Sequence, residues 1–299
     1  MSEPTISITI PSYNRSARLA ELLAATVAQL HDGDELIVVD DASRDDSVQQ
    51  ARRFEQCRVI VHETNQGMVK TWNACLHAAS RDWICIIHND DRIAPGALAA
   101  IRDAARLAPR AGLIAHKHSP QAAGGSCTEV WAAGPDAVLN STVIPSGACV
   151  SRVALAALGD FDEAFAYSTD IEYFARVAAR FEMVLIRSPQ VVEYCLHDEN
   201  HQFATWRKTD FFEQLQAIED AVLRHAAVSG ELREYLRNVR WTGYLSYMFK
   251  NAARLKDKAL LRTVGARLAE RGDTGRRLRL LARLAQHTGW CPPVRSLRL

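Results

Sequence analysis

The feature that most constrains the fold is an alternation of short apolar runs with helix-period segments through the first 108 residues. Residues 6–10, 35–40, 59–62 and 83–88 read as strands, the second and fourth apolar at successive positions. Residues 18–29, 45–54, 68–79 and 96–108 read as helices. In the first of these, Leu19, Leu22, Leu23 and Val27 share one face, and Pro95 introduces the last. Such alternation implies an α/β chain with a mainly parallel sheet, covered by helices on both faces. Right-handed crossovers then align the carboxyl ends of the strands along one edge, where ligands of such sheets bind.

Beyond Gly112 the pattern loosens. Residues 122–125 and 132–136 read as loops, short strands are expected around Val143 and over 191–195, and a helix over 168–180. From about residue 205 nearly everything is helical, with turns near Ser229-Gly230, Arg271-Gly272 and Pro292-Pro293. A boundary near 205 therefore separates residues 1–205 from a helical region, 206–299. Charge divides the chain in a similar way. From Arg233 onward there are 16 Lys or Arg against four acids, a balance of +12, which leaves the preceding residues at −11. A basic tail on an acidic body favours an anionic partner for the tail.

A chain of 299 residues, 48% hydrophobic, can bury one large core and a smaller appendage. The seven cysteines include no C-x-x-C pair; Cys75, Cys85 and Cys149 sit in apolar patterns and read as small core side chains of a reducing compartment. The start of the chain has no basic leader or cleavage pattern, and no apolar run approaches the roughly 20 residues that span a bilayer. The expectation is a cytoplasmic chain, with peripheral contact at the inner face of the cell membrane open to its tail.

Each strand hands over polar residues at its carboxyl end. The first stops at Pro11-Ser12-Tyr13-Asn14-Arg15 and the second at Asp40-Asp41-Ala42-Ser43. Asn65-Gln66-Gly67 follows the third, and His88-Asn89-Asp90-Asp91 ends the fourth. One such residue is ordinarily a loop or helix cap. Four in succession on one sheet edge describe a site.

These segments, with Asn73 and with Gly159-Asp160-Phe161-Asp162-Glu163 followed by Thr169-Asp170, resemble the family 2 glycosyltransferases of GT-A fold. The resemblance covers about residues 5–200. It implies a donor site within about 5–120 and an acceptor and catalytic part within about 121–205. In it Pro11 and Tyr13 line the nucleobase pocket, Arg15 lies near the donor phosphates, and Asp40 accepts the N–H of uracil or thymine. Asn65, Gly67, Asn89 and Asp90 complete the nucleotide-binding set. Asp90 and Asp91 fall at the family's acidic motif, which holds Mn²⁺ or Mg²⁺ against the diphosphate. His88 stands where the first acid of that motif often sits, and is expected to pack or hydrogen-bond rather than bind metal. Asp170 is the expected general base, with Glu172 as the neighbouring alternative. In Val191–His201, His197 best matches a histidine that contacts metal or diphosphate, with His201 second. Residues 198–206 are candidates to order over bound donor.

Chemistry asks for the same groups. A departing nucleoside diphosphate gathers negative charge, which a cation held by hard carboxylate oxygens stabilises. An acceptor hydroxyl needs a base as it attacks the anomeric carbon. An imidazole beside carboxylates would tilt the preference from Mg²⁺ toward Mn²⁺. The reading is transfer of a sugar, with inversion, from a UDP- or dTDP-sugar to a hydroxyl of a glycan or lipid-linked acceptor in cell-surface polysaccharide synthesis. A non-catalytic nucleotide-sugar-binding protein and a nucleotidyltransferase are the alternatives. A dinucleotide oxidoreductase is disfavoured, because the first turn lacks G-x-G-x-x-G. In the tail, Arg276, Arg277, Arg279 and Arg283 interleave with leucines, a pattern suited to an anionic membrane or to packing on the body of the chain. No nucleic-acid motif accompanies the charge.

Overall fold

The computed structural model describes residues 3–116, 128–139, 143–166, 168–193, 207–208, 210–225, 241–270 and 276–288. Contacts group residues 1–195 with 217–226, and residues 196–216 with 227–299, as two compact units.

In the first unit the order is β1 (Ile6–Ser12), α1 (Ser16–Val27), β2 (Glu35–Asp40), α2 (Ser47–Ala51), β3 (Cys57–Val61), α3 (Met68–Ala78) and β4 (Trp83–Ile86). Then come β5 (Arg92–Ile93), α4 (Ala97–Leu107), β6 (Ala111–His116), β7 (Glu129–Ala133), α5 (Pro135–Leu139) and β8 (Cys149–Ser151). Last are α6 (Arg152–Leu158), α7 (Thr169–Ala178), β9 (Glu182–Ser188) and β10 (Val192–Glu193). Eight strands form one sheet in the order β3-β2-β1-β4-β8-β6-β9-β7, and β5 pairs with β10. The ladders β2–β3, β1–β2, β1–β4 and β6–β9 are parallel. β8 runs antiparallel between β4 and β6, and β7 antiparallel along β9. This is the mostly parallel α/β sheet expected.

Ile6, Ile8 and Ile10 of β1 are fully buried on one face and Ser7 and Thr9 on the other, as a central strand requires. Cys85 and Cys149 are cross-strand partners between β4 and β8. Burial, and then the neighbouring Cys85, push the Cys149 thiol far above its ordinary range. Burial, partly opposed by hydrogen bonds with Thr9 and Val38 respectively, takes Cys75 to about 12 and Cys57 to about 11. These thiols stay protonated and unreactive at neutral pH.

The sheet edge away from the strand carboxyl ends is tied by acids. The Asp34 carboxylate accepts both terminal nitrogens of Arg102 at 2.7 and 3.2 Å and the backbone N–H of Ile6 at 2.9 Å. Glu35 accepts from the hydroxyls of Ser7 and Ser80, at 2.6 and 2.9 Å. Burial would raise the Glu35 pKa, but these hydrogen bonds outweigh it and hold the carboxyl below its ordinary value.

The sequence expectations need correction in the middle of the chain. Residues 111–116 are a buried strand, where the sequence pattern only loosens after Gly112 and no element is assigned. Its glycine is a packing requirement, since a Cβ there would collide with the Phe181 side chain. The loop expected over 132–136 is the end of β7 and the start of α5. Val143 lies in a bend, and the strand expected around it is β8, six residues on. The helix α6 and the strand β9 had no expectation at all.

Helices α8 (Phe211–His225), α9 (Trp241–Arg254), α10 (Lys258–Glu270) and α11 (Arg276–Thr288) follow in order, α8 divided between the units after Gln216 and the other three in the second. Phe211, Leu245, Met248, Phe249, Leu261, Val264 and Leu268 are buried there. Arg267 lies over the Phe212 ring at 4.1 Å, and Arg207 pairs with Asp257 at 2.6 Å. No helix among the described residues is long and apolar enough to cross a membrane.

Candidate active site

The carboxyl ends of β1, β2, β3 and β4 meet as expected, and a network of short hydrogen bonds joins their turns. Ser12 and Asp40 are register partners, and the Asp41 N–H donates to Ser12 O at 2.9 Å. Asp40 is fully buried, and its two oxygens accept the N–H and O–H of Ser43 at 2.8 and 2.7 Å. The Ser43 hydroxyl in turn accepts the Asn14 N–H at 2.9 Å, and the Asn14 side chain accepts the Arg44 N–H at 2.8 Å. Asn14 and Ala42 both adopt left-handed backbone here, φ +51° and +60°. Pro11 lies partly buried in β1, and Tyr13 is 44% exposed, a ring available to stack on a base.

Asp41 fixes the third turn. Its carboxylate accepts the backbone N–H groups of Gln66 and Gly67 at 2.7 and 2.9 Å and faces His62 Nδ1 at 3.0 Å. The Asn65 amide donates to Asp41 O at 3.2 Å. Gly67, at φ +86°, turns the chain directly into α3. Asn65 and Gly67 thus join the strand ends through Asp41, a residue sequence reading left without a role. Arg15 precedes α1, its N–H donating to Ser47 Oγ at 3.2 Å.

Beyond β4 the chain turns sharply, the Asp91 N–H reaching His88 O at 3.2 Å. One ligand atom from each of His88, Asp90 and Asp91 lies within 4.8 Å of the others. Asp91 is 3% exposed, while His88 and Asp90 are partly buried. The Asn89 amide donates to Ser12 Oγ at 3.3 Å, and Arg18 reaches Asp90 O at 3.5 Å. Two carboxylates and an imidazole at this spacing fit a divalent cation, since ligands of one ion lie up to about 4–5 Å apart.

Helix α7 faces the same corner. Asp170 lies in its first turn, after Ser168 in left-handed backbone at φ +54°. The Ser168 side chain makes no cap bond, and the Thr169 hydroxyl donates to Asp162 O. Burial raises the Asp170 pKa above its ordinary value, opposed by the positive charge of nearby His88 and by backbone N–H groups. Glu172, the alternative base, is engaged elsewhere. Arg176 holds it through two bonds of 2.8 and 3.0 Å and also donates to Leu158 O and Asp160 O.

Aromatic rings connect the two halves of the site. Trp72 of α3 stacks on His88 and meets Phe161 edge-on at 5.3 Å, and Phe161 packs on Tyr173 at 4.3 Å. The Asn73 amide clamps Phe161, donating to its C=O and accepting its N–H, each at 3.0 Å. Sequence reading found Asn73 but missed Trp72, whose aromatic type at one helical residue before Asn73 was the available signal. His197, His201 and residues 198–206 lie outside the described residues.

Comparison with known proteins adds the family. Residues 7–133 match the model "Glycosyl transferase family 2". Over those residues the chain is similar to the family 2 glycosyltransferases. An uncharacterized glycosyltransferase of Haemophilus influenzae is 34% identical over 90 residues, covering 30% of this chain and 31% of that protein. The chain thus spans about a third of the length of the curated relatives it first matches. Among solved structures, TarS of S. aureus in complex with UDP-GlcNAc superposes with a TM-score of 0.69 at 16% identity, covering 98% of this chain and 89% of that one. The mannosyltransferase PcManGT of Pyrobaculum calidifontis, in complex with GDP-Man and Mn²⁺, has a TM-score of 0.61 at 19% identity, covering 96% and 88%. At such identities the likeness is one of fold, and that fold is GT-A.

Proposed function

We propose that this chain transfers a sugar from a UDP- or dTDP-sugar to a hydroxyl of a glycan or lipid-linked acceptor, with inversion, in cell-surface polysaccharide synthesis. The observation that carries the reading is the meeting of the His88, Asp90 and Asp91 cluster, within the residues that match the family 2 model, with Asp170 of α7 at the carboxyl ends of parallel strands. The base sits between Pro11 and Tyr13. Asp40 accepts its ring N–H through a lone pair that Ser43 leaves open. Arg15, Asn65, Gly67 and Asn89 line the ribose and phosphates.

Asp90 and Asp91 would hold the cation, Mn²⁺ or Mg²⁺. When bound, the cation supplies positive charge to the departing diphosphate. Asp170 removes the acceptor's proton as that oxygen bonds to the anomeric carbon and the nucleoside diphosphate leaves from the opposite side. A carboxyl whose pKa is raised by burial is the stronger base once ionised, which suits this role. The setting is the cytoplasm. Peripheral contact with the membrane's inner face is supported by α11, where Leu280 and Leu284 are exposed beside exposed Arg283.

The test is a panel of nucleotide sugars with Mn²⁺ or Mg²⁺, followed by release of nucleoside diphosphate. Release from one donor, lost without metal and in Asp91→Ala and Asp170→Ala, is expected. Metal-dependent binding without release under any acceptor would favour the binding-only alternative, and no binding would overturn the reading.

A further inference from the structure

We infer that the imidazole of His88 is itself a ligand of the divalent cation, giving a mixed nitrogen–oxygen donor set that selects Mn²⁺ over Mg²⁺. This rests on the cation reading above and goes beyond it, because sequence reading assigns His88 to packing.

Packing alone does not account for the placement. The His88 ring lies 4.9 Å from the Trp72 ring at an interplanar angle of 22°. Such a stack covers the π face and leaves the ring nitrogens, whose lone pairs lie in the ring plane, free to point elsewhere. A metal bond forms in that plane, so the stack and ligation are compatible. What lies within reach is the pair of carboxylates of Asp90 and Asp91, within 4.8 Å of the imidazole nitrogen. A residue present only to cover Trp72 needs no nitrogen there, and a leucine would serve.

The ring is also fixed from behind. The backbone N–H of His88 donates to the Ser146 hydroxyl at 3.0 Å, and Ser146 is fully buried. The Ser146 carbonyl lies 2.7 Å from Nε2 of His116, and the Gly147 N–H donates to Ile86 O at 2.7 Å. Main chain and ring face are therefore both held, one from β8's approach and one from α3. Ligands held in this way lose little freedom on binding a metal. Two carboxylates with an imidazole carry less negative charge than three carboxylates. They also offer a donor that first-row transition metals favour and Mg²⁺ does not.

The deciding measurement is electron spin-echo modulation of Mn²⁺ bound to the full chain, without nucleotide, comparing ordinary protein with protein carrying ¹⁵N-histidine. Wild type is expected to show directly bound imidazole nitrogen that changes on labelling, and His88→Asp to lose it. Titrations should show the ratio of Mn²⁺ to Mg²⁺ affinity falling in His88→Asp. In His88→Gln, Mn²⁺ affinity should fall by at least the roughly 10–100-fold that losing an outer partner costs. Should His88→Asp not fold, His88→Gln carries the same spectroscopic reading. Mn²⁺ bound without nitrogen coupling, or coupling that persists in the variant through another histidine, overturns the inference while leaving a cation site in place. Failure of wild type to bind Mn²⁺ at all is a different result, and removes the cation reading with it.

Discussion

The Trp72 indole lies 22° from parallel with the His88 imidazole at a centroid distance of 4.9 Å, so α3 supplies one wall of the acidic cluster. Replacing Trp72 with leucine empties much of a buried ring's volume and should cost on the order of 3 kcal/mol of stability. In the folded fraction, Mn²⁺ affinity should fall several-fold while UDP affinity measured without metal changes little. Calorimetric titration of each separates the two. Equal losses would mean that the ring supports the fold alone.

Asp170 has a folded pKa above its unfolded value, so the folded chain binds its proton the more tightly. Stability from this group is fully present below the unfolded pKa and is lost as pH rises through the folded one. Asp170→Asn, uncharged at every pH, should therefore melt at a higher temperature than wild type near neutrality, and at the same temperature in acid. Turnover should fall by about 10²–10⁴-fold, the usual contribution of a general base. Wild-type turnover should rise with pH through the raised pKa. A melting difference independent of pH would show that the carboxyl is not desolvated.

Arg102 and Asp34 form a buried pair on the opposite sheet edge, their side chains 6% and 1% exposed. Arg102→Met leaves the acid buried without its cation and should cost about 3–5 kcal/mol. Denaturant unfolding measures this, and nucleotide affinity of the folded protein should be unchanged. A shift in that affinity would mean the two edges are coupled.

Ala42 adopts left-handed backbone at φ +60° without being glycine. Relief of about 1–2 kcal/mol of strain, less about 0.4–1 kcal/mol of freedom gained by the unfolded chain, predicts that Ala42→Gly stabilises by up to about 1.6 kcal/mol. The urea midpoint should rise with an unchanged slope.

What was legible in the sequence was whatever announces itself locally. Residues 35–40, apolar at the four inner positions between Glu35 and Asp40, became β2 at the expected boundaries, and the polar turns after β1, β2 and β4 came together because parallel strands leave them no other edge. Residues 111–116 were not legible, because Gly112 answers to Phe181, 69 positions away, and not to its own neighbours. Asp41 was hidden for a related reason. Beside Asp40 it looks like a duplicate, and only the return of the chain at Gln66 and Gly67 shows what it holds. Glu172 and Asp170 could not be ranked until Arg176, one turn on, was seen to occupy the former.

The Asp41 carboxylate grips the Gln66 and Gly67 amides through bonds internal to the chain. A loop held by the chain's own bonds gives up little disorder when ligand arrives. Donor capture at this end should accordingly resemble a key entering a cut lock. Its speed would be governed by diffusion and charge, with little delay for the loop to find its shape.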